Sequence, residues 1–146
     1  MDLPSFQDTD AIDVELDRFP LVVIRMSAAP TDDDFQRYLG RCEALMVGDQ
    51  LYSIVLVAMA HAPMPQTRHA RAQATWMKAH DARIARHIAS MAFVLPSPLV
   101  RGVLRAVLQM QPLPVEHRVF RGEAEATAWS DERLASVGAR LASGSR

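Results

Sequence analysis

The hydrophobic residues of this chain fall into continuous aliphatic runs and into runs with helical spacing. Residues 51–59 form a continuous run rich in Val, Ile and Leu, which is typical of a central strand covered on both faces. Residues 14–24 contain two apolar stretches that meet at a short polar turn, and they predict an opening hairpin. Two further apolar segments, 88–95 and 115–121, predict additional strands.

Helical spacing is found between these strands and after the last of them. Over 31–47, Thr31 can act as N-cap of a helix with an acidic first turn, and Gly48 can supply the left-handed residue after it. A long helix is predicted over 66–87, with one apolar side and one basic side. Two more helices are predicted over 99–111 and 123–134. Strands and helices that alternate in this way predict an α/β layer fold with right-handed parallel crossovers.

The chain is expected to form a single domain with its core over residues 14–135, because 146 residues is a common size for one domain. The lead 1–12 and the tail 142–146 are predicted to be flexible. The N-terminal residues do not resemble a secretory signal peptide, and the longest apolar run is too short to cross a bilayer. We therefore expect a cytoplasmic protein. The lone Cys42 has no disulfide partner and is predicted to be a buried bystander.

The net charge of −1 conceals a strong asymmetry along the chain. Residues 1–60 contain 11 acidic and 4 basic residues, whereas residues 61–121 contain 2 acidic and 9 basic residues together with all 5 histidines. The basic side of the predicted long helix lies in this second region. An acidic protein partner, or the acidic first third of a second copy, would suit this charge, and a solvated helix face is the simpler alternative.

The motifs of common catalytic and metal sites are absent from the sequence. It has no GxSxG elbow, no phosphate-binding loop and no HExxH motif. His69, His80 and His87 fall near one line of the predicted long helix, but they would stand roughly 16 Å and 10 Å apart along its axis, too far for one ion. The acidic triplet 32–34 is explained by its place at a helix start. We predict no catalytic residue, no metal site and no cofactor.

Local sequence similarities to a known superfamily extend from about residue 14 to residue 130. They comprise LYSIVLV at 51–57, AFVL at 92–95 with PLVRG at 98–102, and RVF at 118–120 followed by Ala126 and Trp129. In these segments the chain resembles the SpoIIAA-like proteins of the STAS superfamily, the fold shared by anti-sigma factor antagonists and sulfate transporter tails. The resemblance implies a mixed, mostly parallel sheet of four to five strands with about four helices.

The resemblance also implies where a functional surface lies. In that superfamily it is typically the loop after the central strand and the start of the next helix, where antagonists carry a phosphorylatable serine next to an aspartate. The corresponding segment here, 59–67, contains neither, and Thr67 is the only hydroxyl near the helix start. A phosphate on Thr67 would be stabilised by the helix N-terminus and by Arg68 or Arg71. Helix capping is the alternative role of Thr67.

The first functional hypothesis is a non-enzymatic regulatory or scaffold module that binds a protein partner. The predicted contact residues are His61, Met64, Gln66, Thr67, Arg68 and Arg71. Surplus apolar residues on the helix that begins near residue 99 predict a homodimer. Its predicted contact residues are Leu99, Val103, Val107 and Met110. Membrane insertion is not expected, and nucleic-acid binding is disfavoured because aromatic residues for stacking are sparse; Trp76 is predicted to be a packing residue.

Two other classes of function stay open. A small hydrophobic ligand or a lipid could bind in a pocket between the sheet and a helix, lined by adaptable methionines. The candidate methionines are Met64, Met77, Met91 and Met110. Ordinary core packing is the alternative role for them. The third class is an enzyme, because five histidines and many arginines could serve a site that the sequence does not reveal.

Overall fold

The computed structural model describes residues 11–27, 29–59 and 67–144. Within these residues the chain forms five strands and five helices. In chain order the elements are β1 (Ile12–Glu15), β2 (Leu21–Met26), α1 (Asp32–Leu45), β3 (Tyr52–Ala58), α2 (Thr67–Ala79), α3 (Asp81–His87), β4 (Ile88–Val94), α4 (Pro98–Met110), β5 (His117–Phe120) and α5 (Glu123–Gly144).

All five strands belong to one sheet with the order β1-β2-β3-β4-β5. β1 and β2 form the predicted antiparallel hairpin, whereas β2, β3, β4 and β5 run parallel to one another. Parallel neighbours need a crossover, and α1, then α2 with α3, then α4 supply the three connections. β3 is the central strand, and its Leu56 lies between Ile24 of β2 and Phe93 of β4. The predicted mixed, mostly parallel α/β fold is therefore confirmed.

Helices cover both faces of the sheet, which explains why β3 is apolar over residues 54–58. Side chains of a strand alternate between faces, and Tyr52 and Ile54 join the core formed with α1 to α4. Val55 and Val57 join the opposite core, where Ala126 of α5 packs against the sheet. The helices α1 to α4 each contribute to the first core, with Phe35, Met77, Ile84 and Val107 among the buried residues.

The start of α1 agrees with the sequence prediction. Thr31 is the N-cap, and its Oγ1 accepts a hydrogen bond from the backbone N–H of Asp34 at 3.1 Å. The Asp34 carboxylate accepts in turn from the backbone N–H of Thr31 at 3.0 Å, which completes a capping box. After the helix, Gly48 has the predicted left-handed conformation with a φ of 57°, which glycine adopts at little cost.

The prediction of one long helix over 66–87 is wrong, because α2 ends at Ala79 and α3 begins at Asp81. His80 between them has φ −112° and ψ 15°, outside the helical range. Its ring Nδ1 donates to the carbonyl of Trp76 at 2.8 Å, and the same carbonyl accepts the backbone N–H of His80 at 3.0 Å. A side chain that competes for a helical carbonyl favours a helix break. The described residues therefore hold five helices instead of about four.

The last helix extends farther than the sequence prediction. We expected it over 123–134, whereas α5 reaches Gly144. Residues 135–144 contain three alanines, the strongest helix former, but also two glycines, so helix propensity alone does not account for the extra turns.

Candidate functional site

A cavity of about 180 Å³ lies between the sheet and helices α1, α2 and α4. Four strands and three helices contribute to its lining. Representative lining residues are Ile12, Met26, Leu56, Met91, Phe35 and Val107. An apolar cavity of ~150 Å³ in another protein binds benzene, which gives a scale for this volume. The domain therefore contains room for a small organic molecule.

The lining of this cavity is almost entirely apolar. Among the described lining residues, only Tyr38, His69 and Gln73 carry polar side-chain groups. The Tyr38 hydroxyl is hydrogen-bonded to the thiol of Cys42. His69 and Gln73 are four positions apart on α2, so they lie on one face of that helix. The polar groups that a ligand could reach are therefore gathered on α2.

His69 is buried and is held on two sides. Its ring stacks on Phe35, with ring centroids 4.6 Å apart and an interplanar angle of 10°. Its Nε2 lies 2.9 Å from Oδ1 of Asp32, and Nε of Arg68 donates to the same oxygen at 2.8 Å. The other ring nitrogen, Nδ1 of His69, has no hydrogen-bond partner among the residues that the structure describes. Its ring is thus fixed at one nitrogen only.

The starts of α1 and α2 bring Asp32, Arg68 and His69 together. Asp32 is the first residue of α1, and Arg68 and His69 lie in the first turn of α2. A carboxylate is favoured at a helix N-terminus by the helix dipole. The hydrogen bond from His69, followed by that from Arg68, lowers the pKa of Asp32 below its ordinary value. Asp32 is therefore a carboxylate at neutral pH and can only accept hydrogen bonds.

The buried thiol and phenol beside the cavity are both protonated at neutral pH. Burial raises the pKa of the Cys42 thiol to about 12. Burial likewise raises the pKa of the Tyr38 hydroxyl well above its ordinary value of 10.0. Cys42 has the buried position that the sequence predicts. Because a thiolate is the reactive form of cysteine, neither group is an activated nucleophile.

A second cavity, of about 40 Å³, shares part of its lining with the first. The shared residues are Tyr38, Gln73, Met77, Met91 and Leu113. This smaller cavity is also lined by Trp76, which stacks on His80 with ring centroids 4.5 Å apart, in keeping with the predicted packing role. Its volume suits water better than an organic molecule.

Comparison with known proteins bears on the fold alone. No protein-family model matches the chain, and no curated protein matches it in sequence. Its structure is similar to the crystal structure of an uncharacterised protein of the DUF3478 family with a SpoIIAA-like fold, from Shewanella loihica PV-4. The match has a TM-score of 0.60 and 14% sequence identity, and it covers 82% of this chain and 92% of the other. The chain has a SpoIIAA-like fold.

The SpoIIAA-like fold confirms the resemblance that the sequence segments predict. In this SpoIIAA-like domain the predicted functional surface is described only from Thr67 onward. Three of its predicted residues lie outside the described residues: His61, Met64 and Gln66. Thr67 is the first residue of α2 and is exposed, as is Arg71 one turn later. Arg68 is also exposed, but its guanidinium is bound to Asp32. Partner binding and phosphorylation of Thr67 stay predictions.

The basic middle region of the SpoIIAA-like domain contacts the acidic first third of the same chain. Among the described residues, four side-chain pairs join the two regions: Asp32 with Arg68 and with His69, Glu43 with His80, and Asp49 with Arg86. In addition, Arg83 of α3 donates to the carbonyl of Met46 at 2.6 Å. Contacts within one molecule therefore account for part of the charge asymmetry that the sequence suggested for an acidic partner.

The four residues predicted for self-association do not share one surface. Leu99 and Met110, at the two ends of α4, are 69% and 52% exposed. Val103 is half-buried and Val107 is buried, and both line the larger cavity. Val107 is therefore not available to a second copy, because it faces the inside of the domain. Self-association through the exposed ends of α4 stays a prediction.

Two of the four methionines predicted for a ligand pocket line the larger cavity. They are Met77 and Met91, which are accompanied by Met26. Met110 does not line it, because that residue lies at the exposed end of α4. Met64 lies outside the described residues. The predicted position of a pocket between sheet and helices thus agrees with the cavity, whereas its lining was only half predicted.

His69, His80 and His87 each contact a different group and do not contact one another. His69 contacts a carboxylate, His80 contacts the Trp76 carbonyl, and His87 donates from Nδ1 to the Gln50 carbonyl at 2.8 Å. Across the described ranges, no group of three or more metal-ligating side chains is placed to hold an ion. In the same ranges, no helix has the length and apolar character needed to cross a membrane.

The group formed by His69, Gln73 and Asp32 was not predicted from the sequence. A local indication was present, since His69 and Gln73 are four residues apart beside the apolar side of the predicted helix. The contact of His69 with Asp32 joins residues that are 37 positions apart, and no periodicity could reveal it.

Proposed function

We propose that this domain binds a small, mostly apolar molecule in the cavity between the sheet and helices α1, α2 and α4. The observation that supports the proposal is a volume of about 180 Å³ with an apolar lining. Protein interiors are normally close-packed, with few voids larger than a water molecule. The cavity is only partly enclosed, and a bound apolar molecule would remove its exposed apolar lining from water.

We propose a binding and regulatory role without catalysis. The described lining residues include no Ser, Thr, Lys, Arg, Asp or Glu, which removes most of the usual nucleophiles and acid–base groups from the cavity. The raised pKa values of Cys42 and Tyr38 keep both groups protonated. His69 is an acid–base candidate in this lining, but none of the described lining residues is an activated nucleophile beside it.

The test uses p-xylene as the ligand and carbon NMR of the methionine methyl groups as the measurement. The methyl resonances of Met77 and Met91 should shift in a saturable way, because both residues line the cavity. Met110 provides an internal control, since it is exposed and does not line the cavity. Cavity methyl resonances that stay in place up to the solubility limit of p-xylene would contradict the proposal.

A second proposed function is binding of an acidic protein partner, in the cytoplasm, through the start of α2. Arg71 supports this proposal, because it is exposed and has no ion pair among the described residues. Thr67 lies one turn before it on the same helix face, so a phosphate on Thr67 would lie beside Arg71. Arg71→Glu should abolish capture of a partner that the wild-type domain retains, whereas Lys78→Glu farther along α2 should not. Equal capture by both variants would contradict this proposal.

A further inference from the structure

Two buried polar atoms beside the cavities have no hydrogen-bond partner among the described residues. They are Nδ1 of His69 and Nε1 of Trp76. Trp76 lines only the smaller cavity, which does not suit an organic ligand. His69 lines the larger cavity and is only 6% exposed. Because buried polar groups are nearly always paired, Nδ1 of His69 indicates a ligand atom that the described residues do not supply.

The contact with Asp32 determines what this nitrogen can bind. The Asp32 carboxylate accepts only, so Nε2 of His69 carries the hydrogen in the 2.9 Å contact. In the neutral ring Nδ1 then presents a lone pair. The ring cannot easily turn away, since it also stacks on Phe35. In that form Nδ1 is an oriented acceptor, and its ligand partner is a hydrogen-bond donor.

The charge of the lining argues against ionised ligands. No Lys, Arg, Asp or Glu occurs among the described lining residues. Arg68, the nearest cation to His69 along α2, is bound to Asp32 and does not line the cavity. A carboxylate or an ammonium group in this cavity would lose its hydration without gaining a counter-charge. The polar group of the ligand is therefore neutral.

Gln73 supplies a second polar contact on the same side of the cavity. It follows His69 by one helical turn, and its side chain contains an NH₂ donor as well as an acceptor oxygen. A hydroxyl can donate to Nδ1 of His69 and accept from Gln73 at the same time. An ether or a ketone can only accept, so it would leave Nδ1 unpaired. A hydroxyl therefore matches both residues.

We infer that the cavity binds a small apolar alcohol or phenol whose hydroxyl donates a hydrogen bond to Nδ1 of His69 and accepts one from the amide of Gln73. This inference rests on the proposed binding function and adds the chemical class of the ligand. The hydrocarbon part, about the size of a substituted benzene ring, packs between Met91 of β4 and Val107 of α4.

Three benzenes of similar size and different polarity test the inference: p-cresol, p-xylene and 4-methylanisole. Calorimetric titration of the wild-type domain should show p-cresol binding about tenfold more tightly than the other two, which lack a donor. If p-cresol binds no better than p-xylene, the inference fails and the proposed binding function stands. If none of the three binds, the proposed function fails as well.

A variant tests whether the preference for p-cresol depends on His69. His69→Phe removes the acceptor and keeps an aromatic ring against Phe35, so it should lose the preference for p-cresol and retain the affinity for p-xylene. His117→Phe on β5, an exposed position, should keep the preference. A preference that survives His69→Phe overturns the inference. Should that variant fail to fold, nitrogen NMR of the wild-type domain decides: p-cresol must shift Nδ1 of His69 and p-xylene must not.

Discussion

Arg25 and Glu123 are 98 positions apart in the chain and are joined by two hydrogen bonds, of 2.8 and 2.5 Å. Nε of the same guanidinium donates to Glu15 at 3.0 Å. Arg25 therefore fixes the start of α5 to the hairpin of β1 and β2. The hydrogen bond with Arg25 lowers the pKa of Glu123 below its ordinary value of 4.5.

This contact makes part of the stability depend on pH. Because the folded-state pKa of Glu123 is lowered, the contribution is present above pH 4.5 and is lost as the pH falls through the folded-state value. Glu123→Gln should reduce the free energy of unfolding by about 1 kcal/mol at pH 7, a modest amount because the pair is partly exposed. In urea unfolding the difference from wild type should shrink as the pH falls. Glu125→Gln, exposed on the same helix, serves as control; an equal loss there would contradict the prediction.

Filling the cavity with a larger side chain tests whether it is the p-xylene site, and it removes no polar group. Val103→Trp should abolish the p-xylene shifts of Met77 and Met91, because the indole would take the ligand's place. Its free energy of unfolding should stay within about 1 kcal/mol of wild type, since a filled cavity offsets the strain of a larger side chain. Leu99→Trp, exposed on the same helix, should still bind p-xylene. Binding that persists in Val103→Trp would place the ligand elsewhere.

Two fully buried serines, Ser53 on β3 and Ser90 on β4, form a hydrogen bond of 2.9 Å between their hydroxyls. Ser53→Ala leaves the hydroxyl of Ser90 buried without this partner and should cost about 1–3 kcal/mol. The double variant with Ser90→Ala should cost less than the sum of the two single variants, because no hydroxyl then stays unpaired. Chemical denaturation of the three variants measures this coupling, and strictly additive losses would contradict the prediction.

The capping box at the start of α1 should contribute measurably to stability. Thr31→Ala is expected to lower the free energy of unfolding by about 1 kcal/mol, because the N–H of Asp34 loses its acceptor. Since Asp32 follows the cap directly, the same change should loosen the hold on His69 and weaken the p-cresol preference. Gln36→Ala, exposed in the same helix, is the matched control, and thermal unfolding compares the two.

Self-association should depend on the exposed ends of α4. Leu99 is 69% exposed, so in a dimer it would be covered by the second copy. Light scattering should show a dimer for the wild-type domain and a monomer for Leu99→Glu. Val47→Glu, an exposed apolar position after α1, should remain dimeric. A wild-type domain that is monomeric at high concentration would contradict this prediction.

The layered fold could be predicted from the sequence because local patterns determine most of it. The aliphatic run of 51–59 marks a strand covered on both sides, and Thr31 marks the start of a helix. The break at His80 could not be predicted in the same way. The apolar spacing continues through it, and the ring contact of His80 with the Trp76 carbonyl, which accompanies the break, leaves no mark in that spacing.

The candidate site was less predictable, because a cavity is space that several elements fail to fill. Met77 and Met91 were predicted as pocket residues from their chemistry, whereas Met110 proved to be exposed. The volume of the cavity depends on the distance between α4 and the sheet. No local sequence pattern encodes that distance. The partner of His69 likewise comes from the start of another helix.

α5 covers one face of the sheet, and this arrangement has a consequence for biosynthesis. α5 follows every described strand in the chain, yet Val55, Ala92 and Val94 are buried on the face where its Ala126 packs. A nascent chain that has emerged only as far as β5 therefore presents these aliphatic side chains to solvent. Burial of this face must therefore wait until α5 has left the ribosome, and until then these side chains are open to aggregation.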